Sequence, residues 1–244
     1  MPRTLNLWLA AGAASIPAAT ALRRPLAWMI YRVSPSGGLQ RAQLQTPPRG
    51  GLLGLTGPLP EDTSADALAH GLASECRRRG FQGVVLACGT PAGGLAAALT
   101  ARRVPCLAPV SLGGEVGLMV PSALSGGDFR AMLHDVAAGR GGRLCLQITR
   151  MAHSFAMPAY PPEGEALTAE ALRALIAAHG ATPRFSPQML CRYFTYQSER
   201  GPRFVLFDDA HTARLKIEAA RDVGFTDAIV AYHEWGAGAR AIFG

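Results

Sequence analysis

From residue 50 onward, short apolar runs alternate with segments in which apolar residues recur at helical spacing. Runs at 51–56, 83–88, 104–110, 117–121, 143–149, 188–196, 204–207 and 228–232 have the composition of strands, most of them buried. Helix patterns lie among them. One, from about 64 to 79, puts Leu68, Leu72 and Cys76 on one face, with Ser64 as N-cap and Gly80 as the stop. A second opens at Thr90-Pro91 and runs to about 103, its proline in the first turn, where a missing N–H is harmless. Phe129, Met132, Leu133 and Val136 mark a third, which starts near Ser125–Asp128 and ends near 138. Thr168 caps a fourth, closed by Gly180, and a fifth covers 210–223 before Gly224. Two earlier runs, 4–10 with Trp8 and 26–33, read as further strands. The stretch 152–164, with Pro158, Pro161 and Pro162, reads as an irregular connection.

Strands separated by helices imply βαβ units and a mostly parallel sheet. About eight to ten strands in 244 residues favour an α/β fold of the (β/α)8, TIM-barrel-like kind over an open sheet. No linker long or polar enough divides the chain, so a single domain is expected over 1–244. The first 50 residues either complete the barrel or decorate it as irregular strands or an extension.

Composition narrows the functional classes. Hydrophobic residues at 49% exclude disorder, and five cysteines, an odd number without close pairing, exclude a small disulfide framework. No apolar run reaches the length needed to span a bilayer. Arg3, the apolar stretch 5–14 and the small residues 17–21 imitate a secretory leader, but the same residues also read as a first strand, and a cytoplasmic protein is expected. The formal charge of +7 comes from arginine, since Lys216 is the only lysine among 24 basic residues. Arg77 to Arg79 and Arg102-Arg103 each finish a helix pattern, where cations complement the helix terminus, and no aromatics interleave with them. Helix-end charge is therefore preferred to a nucleic-acid surface.

Metal and nucleotide chemistry find little support. Cys88, Cys106, Cys145 and Cys191 fall inside strand runs with no C-x-x-C or H-x-E spacing, so they read as core residues and no metal is expected. The glycine-rich turn 88–94 matches neither G-x-G-x-x-G nor the P-loop, and Pro91 removes one N–H from any anion cradle. No cofactor is expected.

In a β/α barrel, functional groups gather at the C-terminal ends of strands. That rule selects Arg150 and His153 after 143–149, and Arg192, Tyr193, Tyr196 and Gln197 in or after 188–196. It also selects Asp208 and Asp209 after 204–207, and His233, Glu234 and Trp235 after the last strand. Asp209 directly precedes a helix and is most simply its N-cap. Asp208 could pair with Arg192 or Arg203. His233 and Glu234 could act as base and acid, or sit on a solvated rim. Tyr193 and Tyr196 are either sugar-stacking platforms or ordinary packing aromatics.

The segment Phe81-Gln82-Gly83-Val84-Val85-Leu86-Ala87-Cys88-Gly89 resembles the fourth-strand signature of family 18 glycoside hydrolases, the chitinase-like barrels, which reads Phe-Asp-Gly-Val-Asp-Leu-Asp-Trp-Glu. The basic helix end Arg77-Arg78-Arg79-Gly80, the third-strand-like 51–57, and the segment from Phe204 through Asp208-Asp209, Lys216 and Gly224-Phe225 to Tyr232 extend the likeness toward the spore-type members. The resemblance implies the family's barrel and a glycan partner related to chitin or peptidoglycan. It also implies that Gly89 stands where the family has its general acid. Gln82, Val85 and Ala87 stand where it has aspartates. Glycosidic cleavage needs a carboxylic acid to protonate the leaving oxygen, and none of these residues supplies one.

Three readings follow. The first is a catalytically inactive barrel, glycan-binding or structural, with Arg192, Tyr193, Tyr196, Trp235 and His153 contacting ligand in a cleft that also holds Asp208 and Glu234. The second is a diverged hydrolase using Asp208 or Glu234 with His233 assisting. The third is a protein-interaction scaffold presenting Trp8, Trp28 and Tyr31. An open cleft with aromatics favours the first. A carboxylate pair about 5–10 Å apart favours the second. A filled mouth with an apolar patch elsewhere favours the third.

Overall fold

A computed structural model describes residues 4–88, 93–109, 116–139, 142–158 and 164–244. The chain opens with β1 (Asn6–Ala11), α1 (Ile16–Ala21), β2 (Leu26–Val33), the short β3 (Leu39–Arg41) and β4 (Leu52–Thr56). It continues through α2 (Ala65–Arg79), β5 (Val84–Ala87), α3 (Gly93–Ala101), β6 (Cys106–Pro109), β7 (Gly117–Pro121), α4 (Phe129–Ala138) and β8 (Leu144–Ile148). A second group of strands follows: β9 (Ala152–Ala156), β10 (Glu165–Ala166), β11 (Arg184–Ser186), β12 (Cys191–Ser198) and β13 (Gly201–Phe207), with α5 (Ala169–Ala178) among them. The chain ends with α6 (Ala210–Asp222), β14 (Asp227–Ala231), α7 (Tyr232–Trp235) and α8 (Ala239–Phe243).

Eight parallel strands close into a barrel in the order β1-β14-β8-β7-β6-β5-β4-β2, and pairing of β1 with β2 completes the ring. The first 50 residues therefore supply two barrel strands, and β3 adds only an antiparallel flap on β2. This complete barrel answers the question left open by the sequence about its N-terminal part. The helices pack outside over a large apolar layer that includes Leu9, Leu53, Leu72, Leu86, Phe129 and Phe225. A separate cluster fills the interior, with Trp8, Leu52, Val85, Leu107, Met119 and Ile229 at its centre.

The helix limits follow from local chemistry. Ser64, Asp128 and Thr168 each accept a bond from the backbone N–H three residues on, which satisfies an otherwise orphaned donor. Gly80 ends α2 in the left-handed region at φ 70°. The arginine clusters are tied to their helices: Arg78 and Arg79 pair with Glu75, and Arg102 bonds the Ala98 carbonyl and Asp66. Glu75 also accepts from the buried Tyr31 hydroxyl at 2.9 Å.

Two expectations are overturned between β8 and α6. The first residues of the stretch 152–164 are not irregular but form β9, and its residues 159–163, with Pro161 and Pro162, lie outside the described ones. The runs 188–196 and 204–207 are not barrel strands. They lie in a five-stranded antiparallel sheet, β10-β9-β13-β12-β11, inserted after β8. The cause is local: β12 and β13 are joined by only Glu199 and Arg200, and so short a link forces an antiparallel hairpin. One face of this sheet packs Phe194, Val205 and Phe207 against Leu172 of α5.

Candidate functional site

Strand alternation decides what faces the open, C-terminal end of the barrel. Register pairs Val85 with Gly54 and Ala87 with Thr56 across β4 and β5, and Met119 with Pro109 across β6 and β7. Of these positions Thr56, Val85, Ala87, Pro109 and Met119 line a cavity of about 720 Å³ together with Ala10, Met29, Gln147, Ile229 and Ala231. Gly12 and the 3-10 turn Ala13–Ser15 after β1, with Cys88 and His233, complete the wall. Met29 lies over Gly54: a Cβ there would stand 2.2 Å from the Met29 sulfur, so only glycine admits this side chain. The wall is apolar apart from Ser15, Thr56, Cys88, Gln147 and His233, and no Asp, Glu, Lys or Arg lines it among the described residues. Burial raises the Cys88 thiol above its ordinary value and pushes Cys106 behind it to about 12, so both remain protonated thiols at neutral pH.

The opposite end is closed by polar groups. Asp227, at the start of β14 and fully buried, accepts from Arg143 Nε at 2.6 Å and Nη2 at 2.7 Å. It also accepts from Trp8 Nε1 and the Thr226 hydroxyl, each at 2.8 Å. Burial pushes this carboxyl upward, but the Arg143 guanidinium and the Trp8 and Thr226 donors outweigh it and hold the group below 3.8.

No protein-family model matches the chain, and no curated protein sequence does. Solved structures do. A GH18 chitinase from Cycas revoluta in complex with (GlcNAc)3 superposes with a TM-score of 0.63 at 16% identity, over 98% of both chains. A chitinase from Chromobacterium violaceum gives 0.61 at 16% identity, over 97% of this chain and 98% of that one. The spore cortex-lytic enzyme SleL of Bacillus megaterium gives 0.61 at 12% identity, over 94% of this chain and 71% of that one. The chain has the fold of the family 18 glycoside hydrolases.

Within that family-18 fold, the positions matched to the catalytic-strand signature fall on β5. Val85 is buried inside the barrel and Ala87 is exposed at the mouth, both on the cavity wall. Gln82 precedes β5 and lies near the other end, beside Trp8 and Asn6. Gly89 lies outside the described residues.

The other candidates are dispersed rather than gathered in one cleft. Asp208 is buried, and its carboxylate meets Lys216 Nζ at 2.8 Å and the Thr212 hydroxyl at 2.9 Å. Burial pushes its carboxyl above the ordinary value against the pull of Lys216. It therefore pairs with neither Arg192 nor Arg203. Arg192 instead reaches Asp209 at 3.0 Å, and Arg203 reaches Glu165 at 2.8 Å. Asp209 is the N-cap of α6, in a reciprocal box with Thr212. Glu234 accepts from the Arg150 backbone N–H at 2.6 Å and stands 3.7 Å from His233. Of the residues named for catalysis, only His233 lines the mouth cavity; Asp208 and Glu234 do not.

The ligand-contact candidates belong to the inserted sheet, apart from Trp235. On β12, Arg192 and Tyr196 share a face with Phe194, whereas Tyr193 points to the other side, against Phe204. His153 lies on β9 beside Phe155. Trp235 is buried, with the Arg150 guanidinium over its ring and its Nε1 on the Ile148 carbonyl. Arg150, Asp208, Asp209 and Trp235 do converge on a smaller cavity of about 290 Å³ beside α5. Tyr196 stacks on His179, 4.5 Å between ring centroids, in an open cleft of about 440 Å³ that also has Glu165, Gln197, Arg200 and Arg203 on its walls.

The mouth residues missed by sequence reasoning are Met29, Thr56, Met119 and Gln147. Thr56 ends β4 and Gln147 is the penultimate residue of β8. The strand-end rule reaches both once it is applied to uncharged polar groups as well as to ionisable ones.

Proposed function

We propose that the chain is a family-18-like barrel that binds glycan without hydrolysing it. The observation that carries this reading is the chemistry of the mouth: Val85 and Ala87 stand on the wall where the resembling family has aspartates, and neither holds nor donates a proton. The two carboxylates that could stand in are engaged elsewhere, Asp208 by Lys216 and Glu234 by the Arg150 backbone.

The surface best suited to a sugar is the cleft of the inserted sheet. The tilted Tyr196 and His179 rings offer aromatic surface, and Glu165, Gln197, Arg200 and Arg203 offer hydrogen-bonding groups around it. The likeness to a chitinase in complex with (GlcNAc)3 motivates the ligand class.

The test combines turnover with binding. Incubation with chitin oligomers and peptidoglycan fragments, followed by mass spectrometry, is expected to return intact substrate. Titration of (GlcNAc)3 is expected to give binding that weakens at least tenfold in Tyr196→Ala. Turnover abolished by Asp208→Asn or Glu234→Gln would establish the diverged hydrolase instead, and no binding at millimolar glycan overturns the proposal.

A further inference from the structure

The interior of a β/α barrel is normally packed with layers of bulky branched side chains. This barrel follows that rule only in its lower part, where Trp8, Leu52, Leu107 and Ile229 interdigitate. Above them, three of the strand positions nearest the mouth are alanines, Ala10, Ala87 and Ala231, beside Thr56, Pro109 and Gln147. Small residues on three separate strands keep open a space of about 720 Å³, within the size range of small-molecule sites. Two flexible thioethers, Met29 and Met119, lie on its wall and can adapt to an occupant's shape. The uncharged polar groups on the wall are few: Gln147 brings a side-chain amide, and Thr56 a hydroxyl that already donates to the Tyr31 carbonyl at 3.1 Å and is left to accept.

We infer that the barrel mouth is a binding site for a small apolar molecule: a medium-length alkyl or acyl chain carrying an uncharged hydrogen-bonding head. The chain lies against the three alanines and the two methionines, and the head meets the Gln147 amide. No lysine or arginine lines the cavity among the described residues, so an anionic head meets no permanent cation on those walls, where His233 is the one basic side chain. This goes beyond the glycan reading and does not rest on it, because it concerns a different cavity and a different chemistry.

A chain-length series of primary amides, hexanamide, heptanamide and octanamide, titrated into the full chain by calorimetry or NMR, tests the inference. Each added methylene is expected to tighten binding about threefold to fourfold as its surface leaves water. Octanamide is expected to bind at least as tightly as octanoate, and with a negative heat-capacity change. Ala87→Trp, which fills the mouth from an exposed position, is expected to weaken octanamide at least tenfold. Ala87→Leu carries that test if the tryptophan variant does not fold. Tyr196→Ala is expected to leave octanamide binding unchanged, which separates this site from the glycan cleft. No binding at millimolar octanamide, equal affinity along the series, tenfold preference for octanoate, or binding retained in the filled variant each overturns the inference. Displacement of octanamide by (GlcNAc)3 also overturns it while sustaining the glycan reading.

Discussion

Asp227 at the floor of the barrel is held by Arg143, Trp8 and Thr226, whereas at the mouth the inward positions of β5, Val85 and Ala87, carry no polar side-chain atom. Two ends of one barrel thus treat charge in opposite ways. At the floor a carboxylate is buried and fully partnered, so it seals the bottom of the core and fixes β14 against β1 and β8. At the mouth the described wall is open and carries only uncharged aliphatic, thioether, thiol, hydroxyl and amide groups beside His233. A carboxylate inside a barrel is therefore not in itself a sign of catalysis; its position along the barrel axis and its partners decide.

The sharpest way to break the comparison is at the floor. Asp227→Ala leaves the buried Trp8 Nε1–H and the partly buried Arg143 guanidinium without their acceptor and is expected to cost about 2–4 kcal/mol in urea unfolding. The pH dependence has a definite sign. The native pKa of Asp227 is depressed, so its contribution is complete above the ordinary 3.8 and is lost as pH falls through the lower native value. Asp227→Asn is therefore expected to show a shallower loss of stability than the wild type on acidification below about pH 4. Equal acid limbs would mean that Asp227 is not the group sealing the floor.

A second buried carboxylate extends the same reasoning to the junction with the inserted sheet. Lys216 on α6 bonds both Asp208 and the Ser122 carbonyl and lies over the Phe129 ring. Lys216→Met strands Asp208 in the core and is expected to cost about 3–5 kcal/mol. The double variant Lys216→Met/Asp208→Leu is expected to recover most of that loss, because it removes the stranded charge. Activity in a glycan-cleavage assay that follows Asp208 independently of stability would assign this pair to catalysis instead.

Most of the barrel was legible in the sequence because each βαβ unit carries its own signal. The run 26–33 is β2 and the run 117–121 is β7, residue for residue, and Ser64 and Thr168 cap the helices they were expected to cap. The inserted sheet was not legible, because its order depends on pairings between distant segments such as Phe155 with Phe204. The Glu199-Arg200 link also lacks the Asn-Gly type of signature that marks a tight hairpin. The grouping of the ligand-contact candidates was hidden for the same reason: Arg192, Tyr193 and Tyr196 read as one barrel strand, and β12 distributes them over two faces of a different sheet. The absence of carboxylates at Val85 and Ala87 was legible through the resemblance of 81–89 to the family signature, but the open cavity they line was not, since a uniformly apolar strand reads equally as one refilled for packing. Gln147 and Met29 were not, because an amide or a thioether within an apolar run carries no signal until the barrel closes around it.

Smaller effects sharpen the boundary between barrel and insertion. Asp209→Ala removes the N-cap of α6 and the partner of Arg192, and it is expected to cost about 1–2 kcal/mol in thermal or urea unfolding. Arg192→Ala should account for only a minor part of that, because both members of this pair are partly exposed. If the two variants are equally destabilised, the ion pair rather than the cap holds the junction.

The smallest expected effect decides most about the mouth. Ala87 is exposed at the rim of the cavity, so Ala87→Asp places a carboxylate where water can solvate it, and the expected change is within about 0.5 kcal/mol. Val85→Asp, one layer deeper and 2% exposed, buries an unpaired charge and is expected to lose several kcal/mol. The two substitutions lie on one strand, face the same cavity and add the same group, so their difference measures how deep the solvated region reaches. If Ala87→Asp is tolerated, packing does not demand an apolar residue at that position. The absence of Asp, Glu, Lys and Arg among the described residues of the wall then answers to what the cavity binds. A loss above about 2 kcal/mol at Ala87 would instead make the apolar rim part of the core, and the open mouth would be a by-product of packing rather than a binding surface.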